Sequence, residues 1–378
     1  MLICQPEAQA ERTAERIEKK MLRAMDSAVA GLRAHQNKLD VIGNNLANVN
    51  TAGYKTQSYN FQEAMYQTST QSTAGSTQPG QTMGGANAAQ YGYGSLMGSI
   101  SMDMTESTPT YTGKFDAHIC GMGFFITLAQ IKPDGVDAAA MKTEDFAYTR
   151  VGQCKLNSDG YVVDSQNNFV YGFVSMDNGK TFSDGGTGTT SADQTCTVQV
   201  QDGVDADGKP TMKDETITVP KGKLVPLRVP SSIDFTDPNA PKVNIDNSGA
   251  AQEMIVTSTT INNAGEITVK VQSDDPAQDG KVVSIGKIAI ASFQNPEGLS
   301  KGGNNTFNAK ENDNTGEASA TVPGGSTPML MGGYVEGSNV DMANEFVQMI
   351  TTQRGFQANS KIITVSDEIL NELVNMKR

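Results

Sequence analysis

The sequence predicts an α+β protein, mainly β, in which long N- and C-terminal coiled-coil helices flank two β-rich domains, the outer one inserted into the inner one. Three observations predict it. Apolar residues recur at heptad spacing only near the two chain ends. Between the ends, short alternating or apolar runs are divided by Gly, Asp and Asn. The 378 residues include 38 Gly, no Trp and 37% apolar residues, which suits a loop-rich β protein with a modest core.

Residues 1–20 are polar and charged and lack the apolar middle of a secretory signal. They precede the periodic pattern, so the expectation is an extra N-terminal extension with the mature chain starting at Met21. From there Met25, Leu32, Leu39 and Leu46 repeat every seven residues, with Ala28, His35, Ile42 and Val49 beside them. This predicts an N-terminal helix within 21–55, with Gly53 as its stop. The stretch "DVIGNNLANVNTAGYK" is unusual for a helix, because Gly43, Asn44, Asn45, Asn48 and Asn50 all disfavour one.

Residues 56–94 are rich in Gln, Ser, Thr and Gly, with little periodicity, and read as a linker. The runs "GFFIT", "AYTRVG", "YVVDS" and "FVYGFV" place an inner β-domain at 95–175, completed by 285–335 through "KIAIASFQNPEGL". The segment 176–284 alternates with period two in "TCTVQVQDG", "ETITVP" and "EITVKVQ", and reads as the inserted outer β-domain. In 336–378, Met349, Phe356, Ile363 and Leu370 are spaced by seven and predict the C-terminal helix.

The net charge of −13 argues against a nucleic-acid partner, which would call for a basic footprint. No run of 18 apolar residues suggests membrane insertion. Cys4, Cys120, Cys154 and Cys196 have no metal-clip or disulfide-framework spacing and read as free thiols. With only His35 and His118, the residues suggest no zinc site and no Ser-His-Asp triad. We therefore expect no enzyme, no cofactor and no metal.

Each terminal helix carries a narrow apolar seam and has no partner close in sequence. One reading is an intramolecular coiled coil that clamps the two chain ends. The other is a pair of helices that fold on self-assembly, since ordering some 30 residues outweighs a few buried apolar side chains. Gly31, Gly43 and Gly355 lie inside the helical patterns, where they would allow a neighbouring backbone to approach.

The motifs also carry a resemblance. "MLRAMDSAVAGLRAHQNKLDVIGNNLANVNTAGYK", "FDAHICGMGFFIT", "YTRVGQCKLNSDGYVVDSQNNFVYGF" and "IAIASFQNPEGLSKGGNNTF", with the ending "EGSNVDMANEFVQMITTQRGFQANSKIITVSDEILNELVNMKR", resemble the bacterial flagellar axial family of rod and hook proteins. The likeness covers about 21–175 and 285–378. Met122 stands where an acidic or polar residue is common in the family, and 176–284 matches nothing in it. The ending is nearer to the hook branch than to the distal rod.

The resemblance implies a structural subunit that polymerises with itself into a hollow, flexible tube transmitting torque. It implies export through the flagellar type III apparatus without a cleaved signal. It also implies contacts with hook-cap, distal-rod and hook-filament junction proteins. Pattern and resemblance together give the expected assembly residues. In the first helix these are Met25, Leu32, Leu39, Ile42, Gly43, Asn44, Asn45, Leu46, Asn48, Val49, Asn50, Gly53 and Tyr54. In the second they are Ser338, Asn339, Val340, Met349, Gln353, Arg354, Gly355, Phe356, Asn359, Ile363 and Leu370. A carboxylate-pair hydrolase or a β-rich adhesin would not explain heptad helices at both ends.

Overall fold

The computed structural model describes residues 6–78, 81–132, 135–138, 141–142, 146–176, 178–184, 192–204, 210–219, 221–229, 255–272, 276, 279–324 and 327–376. They form two compact units. The first contains Met1–Val49, Thr56–Asp103 and Val340–Arg378, and the second Asn50–Lys55 and Met104–Asn339.

The first unit is built on two helices, α1 (Pro6–Ala47) and α2 (Met342–Met376). The helix α1 begins 15 residues ahead of Met21, so residues 6–20 continue it. It also stops six residues short of Gly53, the expected end. The Asn48 side chain donates to the Asn44 backbone carbonyl at 2.9 Å, and the Asn48 N–H donates to the same carbonyl at 3.2 Å, closing the helix end. Gly53, with φ +66°, instead sits in the turn beyond. Asp341 opens α2, its Oδ1 accepting from the Ala343 N–H at 2.9 Å.

Residues 56–94 contain strands, where composition suggested a linker. Gln57–Glu63 pairs antiparallel with Ser95–Met102, and Tyr66–Thr70 with Ala89–Gly92. These strands escaped notice because both faces are polar and mostly exposed, leaving no period-two signal. The base of the hairpin is anchored by Tyr59 and Met102, which are buried, and Tyr91 further along lies under the Arg23 guanidinium of α1 at 4.9 Å.

The second unit holds one large antiparallel sheet. Its main path runs Ile255–Ile261, Glu266–Gln272, Val282–Ile288, Phe169–Val174, Phe124–Leu128, Ala147–Thr149, Thr306–Asn308 and Ser300–Gly303. The apolar face of the alternating strand Glu266–Gln272, made of Ile267, Val269 and Val271, joins Val170, Ile288 and Phe125 in one core. The described strands of 176–284 other than one hairpin thus share the core of 95–175 and do not build their own. Alternation marks which face is buried but not against what. The exception is the hairpin of Gln194–Val204 and Pro210–Val219, a two-stranded sheet by itself.

Candidate assembly surface

The two helices pack on each other, as in the clamp reading, and they do so through small and polar residues. A Cβ added at Gly31 would lie 2.7 Å from Asn359 Nδ2, and one at Gly355 would lie 2.8 Å from the His35 ring. The glycines thus let the helices approach closely. Gly43 does not serve this contact, since nothing lies within 4 Å of its missing side chain. Phe61 also packs against the His35 ring, edge-on with centroids 5.4 Å apart.

Asn45 explains why a helix carries so many asparagines. It is buried, at 1% exposure. Its amide donates to the Gln57 carbonyl at 2.8 Å and its carbonyl accepts from the Gln57 N–H at 3.0 Å. The same amide donates to Glu345 Oε1 at 3.3 Å. One side chain thus ties α1 to a strand and to α2, which an apolar residue could not do. Glu345 is buried and its Oε2 has no partner among the described residues. Burial pushes the Glu345 carboxyl up, and the Asn45 bond and Lys38 only partly oppose this.

The heptad rows do not form a buried seam. Ile42 is buried, while Met25, Leu32, Leu39, Leu46 and Val49 are half-buried. On α2, Met349, Gly355, Asn359, Ile363 and Leu370 are half-buried on the side toward α1, whereas Gln353 and Arg354 are exposed. The polar side chains Glu345, Thr352 and Ser366 are the buried ones. The apolar side chains Phe346 (48% exposed), Val347 (59%), Ile350 (51%), Phe356 (37%), Ile362 (45%) and Ile369 (44%) open to solvent. This arrangement inverts the usual amphipathic helix, and an uncovered apolar surface of this kind marks a contact site.

The expected residues Asn50, Gly53, Tyr54, Ser338 and Asn339 belong to the second unit. Tyr54 is buried and Asn50 exposed, and Asn44 at the end of α1 is exposed too. Lys55, at 1% exposure, pairs with the fully buried Glu336 at 2.8 Å. Arg150 adds two bonds to the same carboxylate, from Nε at 2.8 Å and Nη2 at 3.0 Å. Ser107 N–H gives another at 3.2 Å. Burial alone would raise the Glu336 carboxyl, but Arg150 and Lys55 outweigh it and hold it below the ordinary glutamate range. Asn339 N–H donates to the Tyr54 carbonyl at 3.4 Å, and the Ser338 carbonyl accepts from Ser107 Oγ at 2.8 Å. Val340, half-buried, is the first residue back in the helical unit. Of the residues in this knot, Lys55, Ser107 and Glu336 lie a few residues from the points where the chain passes between units. Its members are too far apart in sequence for any local motif to show them.

Cys120 and Cys154 are free thiols, and Cys4 and Cys196 lie outside the residues whose side chains are described.

Residues 25–55 match the family described as flagella basal body rod protein, and residues 331–376 match the one described as flagellar basal body rod FlgEFG protein C-terminal. The chain is 33% identical over 359 residues to the flagellar basal-body rod protein FlgG of Bacillus subtilis (strain 168), covering 95% of this chain and 100% of that one. It is 28% identical over 460 residues to the flagellar hook protein FlgE of Borreliella burgdorferi, covering 94% and 100%. It is 26% identical over 435 residues to the flagellar hook protein FlgE of Escherichia coli (strain K12), with the same coverage.

Proposed function

Because this chain belongs to the flagellar basal-body family of rod and hook proteins, a family of structural components, we propose that it is the subunit of the flagellar hook. In this reading the subunit polymerises with itself into a hollow, flexible tube that carries torque from rod to filament. It leaves the cell through the type III export apparatus without a cleaved signal and works in the extracellular hook. It meets the distal rod, the hook cap and the hook-filament junction proteins at the ends of the tube. It needs no cofactor, no nucleic acid and no insertion into a membrane.

The observation that carries self-assembly is the exposed apolar surface of α2. A helix whose polar side chains are buried and whose Phe, Ile and Val side chains face water gains by being covered. The clamp and the assembly readings are then compatible. The Asn45, Gly31 and Gly355 contacts set the helix pair within one chain, and the outward residues Phe346, Ile350, Phe356 and Ile362 bind the next copy. The expected assembly residues Ile363 and Leu370 would act from the edge of the helix pair.

The distal rod is the second reading, and it has a specific observation in its favour. The 33% identical relative is a rod protein. The "SNVDMANEF" ending favours the hook. Electron microscopy of a strain lacking the gene separates the two. Basal bodies with complete rods and no hooks support the hook, and rods that stop short support the distal rod.

A further inference from the structure

The second unit brings together three side chains that ordinarily bind metal. A ligand atom of Glu106, one of His118 and the sulfur of Cys120 all lie within 4.8 Å of one another. His118 and Cys120 alternate along the strand Ala117–Cys120, so they point to the same face, while Ile119 between them enters the apolar core. Glu106 reaches them from the stretch between the strands Ser95–Met102 and Pro109–Tyr111. Its Oε1 is 2.9 Å from His118 Nε2, and its Oε2 accepts from the Gly121 N–H at 3.0 Å.

The surroundings suit a cation. His118 is fully buried, Glu106 is 40% exposed and Cys120 is half-buried, so the cluster is fixed at its base and open at its rim. The nearby cations are committed elsewhere. Arg150 binds Glu336 and the carbonyls of Gly121 and Gly123, and Lys55 binds Glu336 and the Thr105 carbonyl. Among the described residues no Lys or Arg pairs with Glu106. His118 Nδ1 is buried without a partner, so the bond to Glu106 leaves the imidazole half satisfied.

We propose that Glu106, His118 and Cys120 form a binding site for one borderline divalent cation of the zinc class. Thiolate and imidazole select such ions over Mg²⁺ or Ca²⁺, and one carboxylate completes a three-ligand set with the fourth position left to water. Bonds of about 2.0–2.3 Å set tetrahedral ligand atoms roughly 3.3–3.8 Å apart, so the cluster closes by movements of about 1 Å. Binding converts the Cys120 thiol to thiolate and releases its proton to solvent, with no change of oxidation state. The site does not depend on the hook reading.

The test uses the full chain, stripped with a chelator and titrated with Co²⁺ as an optical probe. The expected result is one Co²⁺ per chain, with a near-ultraviolet thiolate-to-cobalt band and visible bands of four-coordinate strength. Cys120→Ser abolishes the thiolate band. Glu106→Gln, at a partly exposed side chain, weakens binding at least tenfold, and Zn²⁺ displaces the cobalt in the unmodified chain. The double variant Cys4→Ser, Cys196→Ser leaves the spectrum unchanged. Absence of a thiolate band in the unmodified chain, or its persistence in Cys120→Ser, overturns the site.

Discussion

Replacing Ile350 by Asp should separate the two roles of α2. Ile350 is 51% exposed in the single chain, so about half of its burial energy is still unspent. Full burial of an Ile stabilises by ~1.5–3 kcal/mol, so covering the rest in an assembly contributes ~0.8–1.5 kcal/mol. A carboxylate at the same place must also be desolvated without a partner, which costs several kcal/mol more. A total loss near 3 kcal/mol or above raises the critical concentration for polymerisation by roughly 100-fold, at about 1.4 kcal/mol per factor of ten. The free subunit should hardly notice, since exposed substitutions usually stay within about 0.5 kcal/mol. The assay pairs a thermal melt of the free subunit with sedimentation of polymer over a range of concentrations. The expected outcome is a melt within about 2 °C of the parent and no sedimenting polymer. A melt lowered by much more, or polymer formed at the parental concentration, would refute the idea that this face waits for another copy.

The helix contact gives a paired prediction. Gly355→Ala should destabilise the helical unit by ~1–3 kcal/mol, because the His35 ring it would strike is packed against Phe61, whereas Gly31→Ala should be near neutral, since Asn359 can swing away; urea melts of both variants decide it. Gly43→Ala should raise the melting temperature of the free subunit through ~1 kcal/mol of helix propensity while weakening polymerisation, if the space beside Gly43 receives a neighbour. Acid should act oppositely on the two units. The Glu336 carboxyl is held low, so its stabilisation is present at neutral pH and lost as pH falls through its folded value, whereas the Glu345 carboxyl is held high, so its burden at neutral pH is relieved as pH falls. Hydrogen exchange between about pH 6 and pH 3 should show sheet amides losing protection and helix amides gaining it, with Glu345→Gln removing the gain and Glu336→Gln lowering sheet stability by ~3–5 kcal/mol already at neutral pH.

The sequence revealed what repeats locally. Heptad spacing placed both helices, and period-two alternation found Glu266–Gln272 and its neighbours. It could not say which helix face is buried, because the contact uses Gly31, Asn45, Gly355 and Glu345, residues that a hydrophobic count passes over. It missed the strands of 56–94, whose residues other than Tyr59 are mostly exposed and are held by pairing. It missed the Glu336 knot because Lys55 and Arg150 stand 281 and 186 residues away from it along the chain. It saw no metal ligands in His118 and Cys120, because Glu106 joins them only through the fold.

The central claim is that this chain builds the hook. Gold-labelled antibodies raised against the purified chain and applied to intact flagella test it most directly. The expected result is dense label along the whole short curved segment between cell surface and filament, and none on the filament. A bare curved segment, with label confined to the rod of detergent-extracted basal bodies, would contradict it.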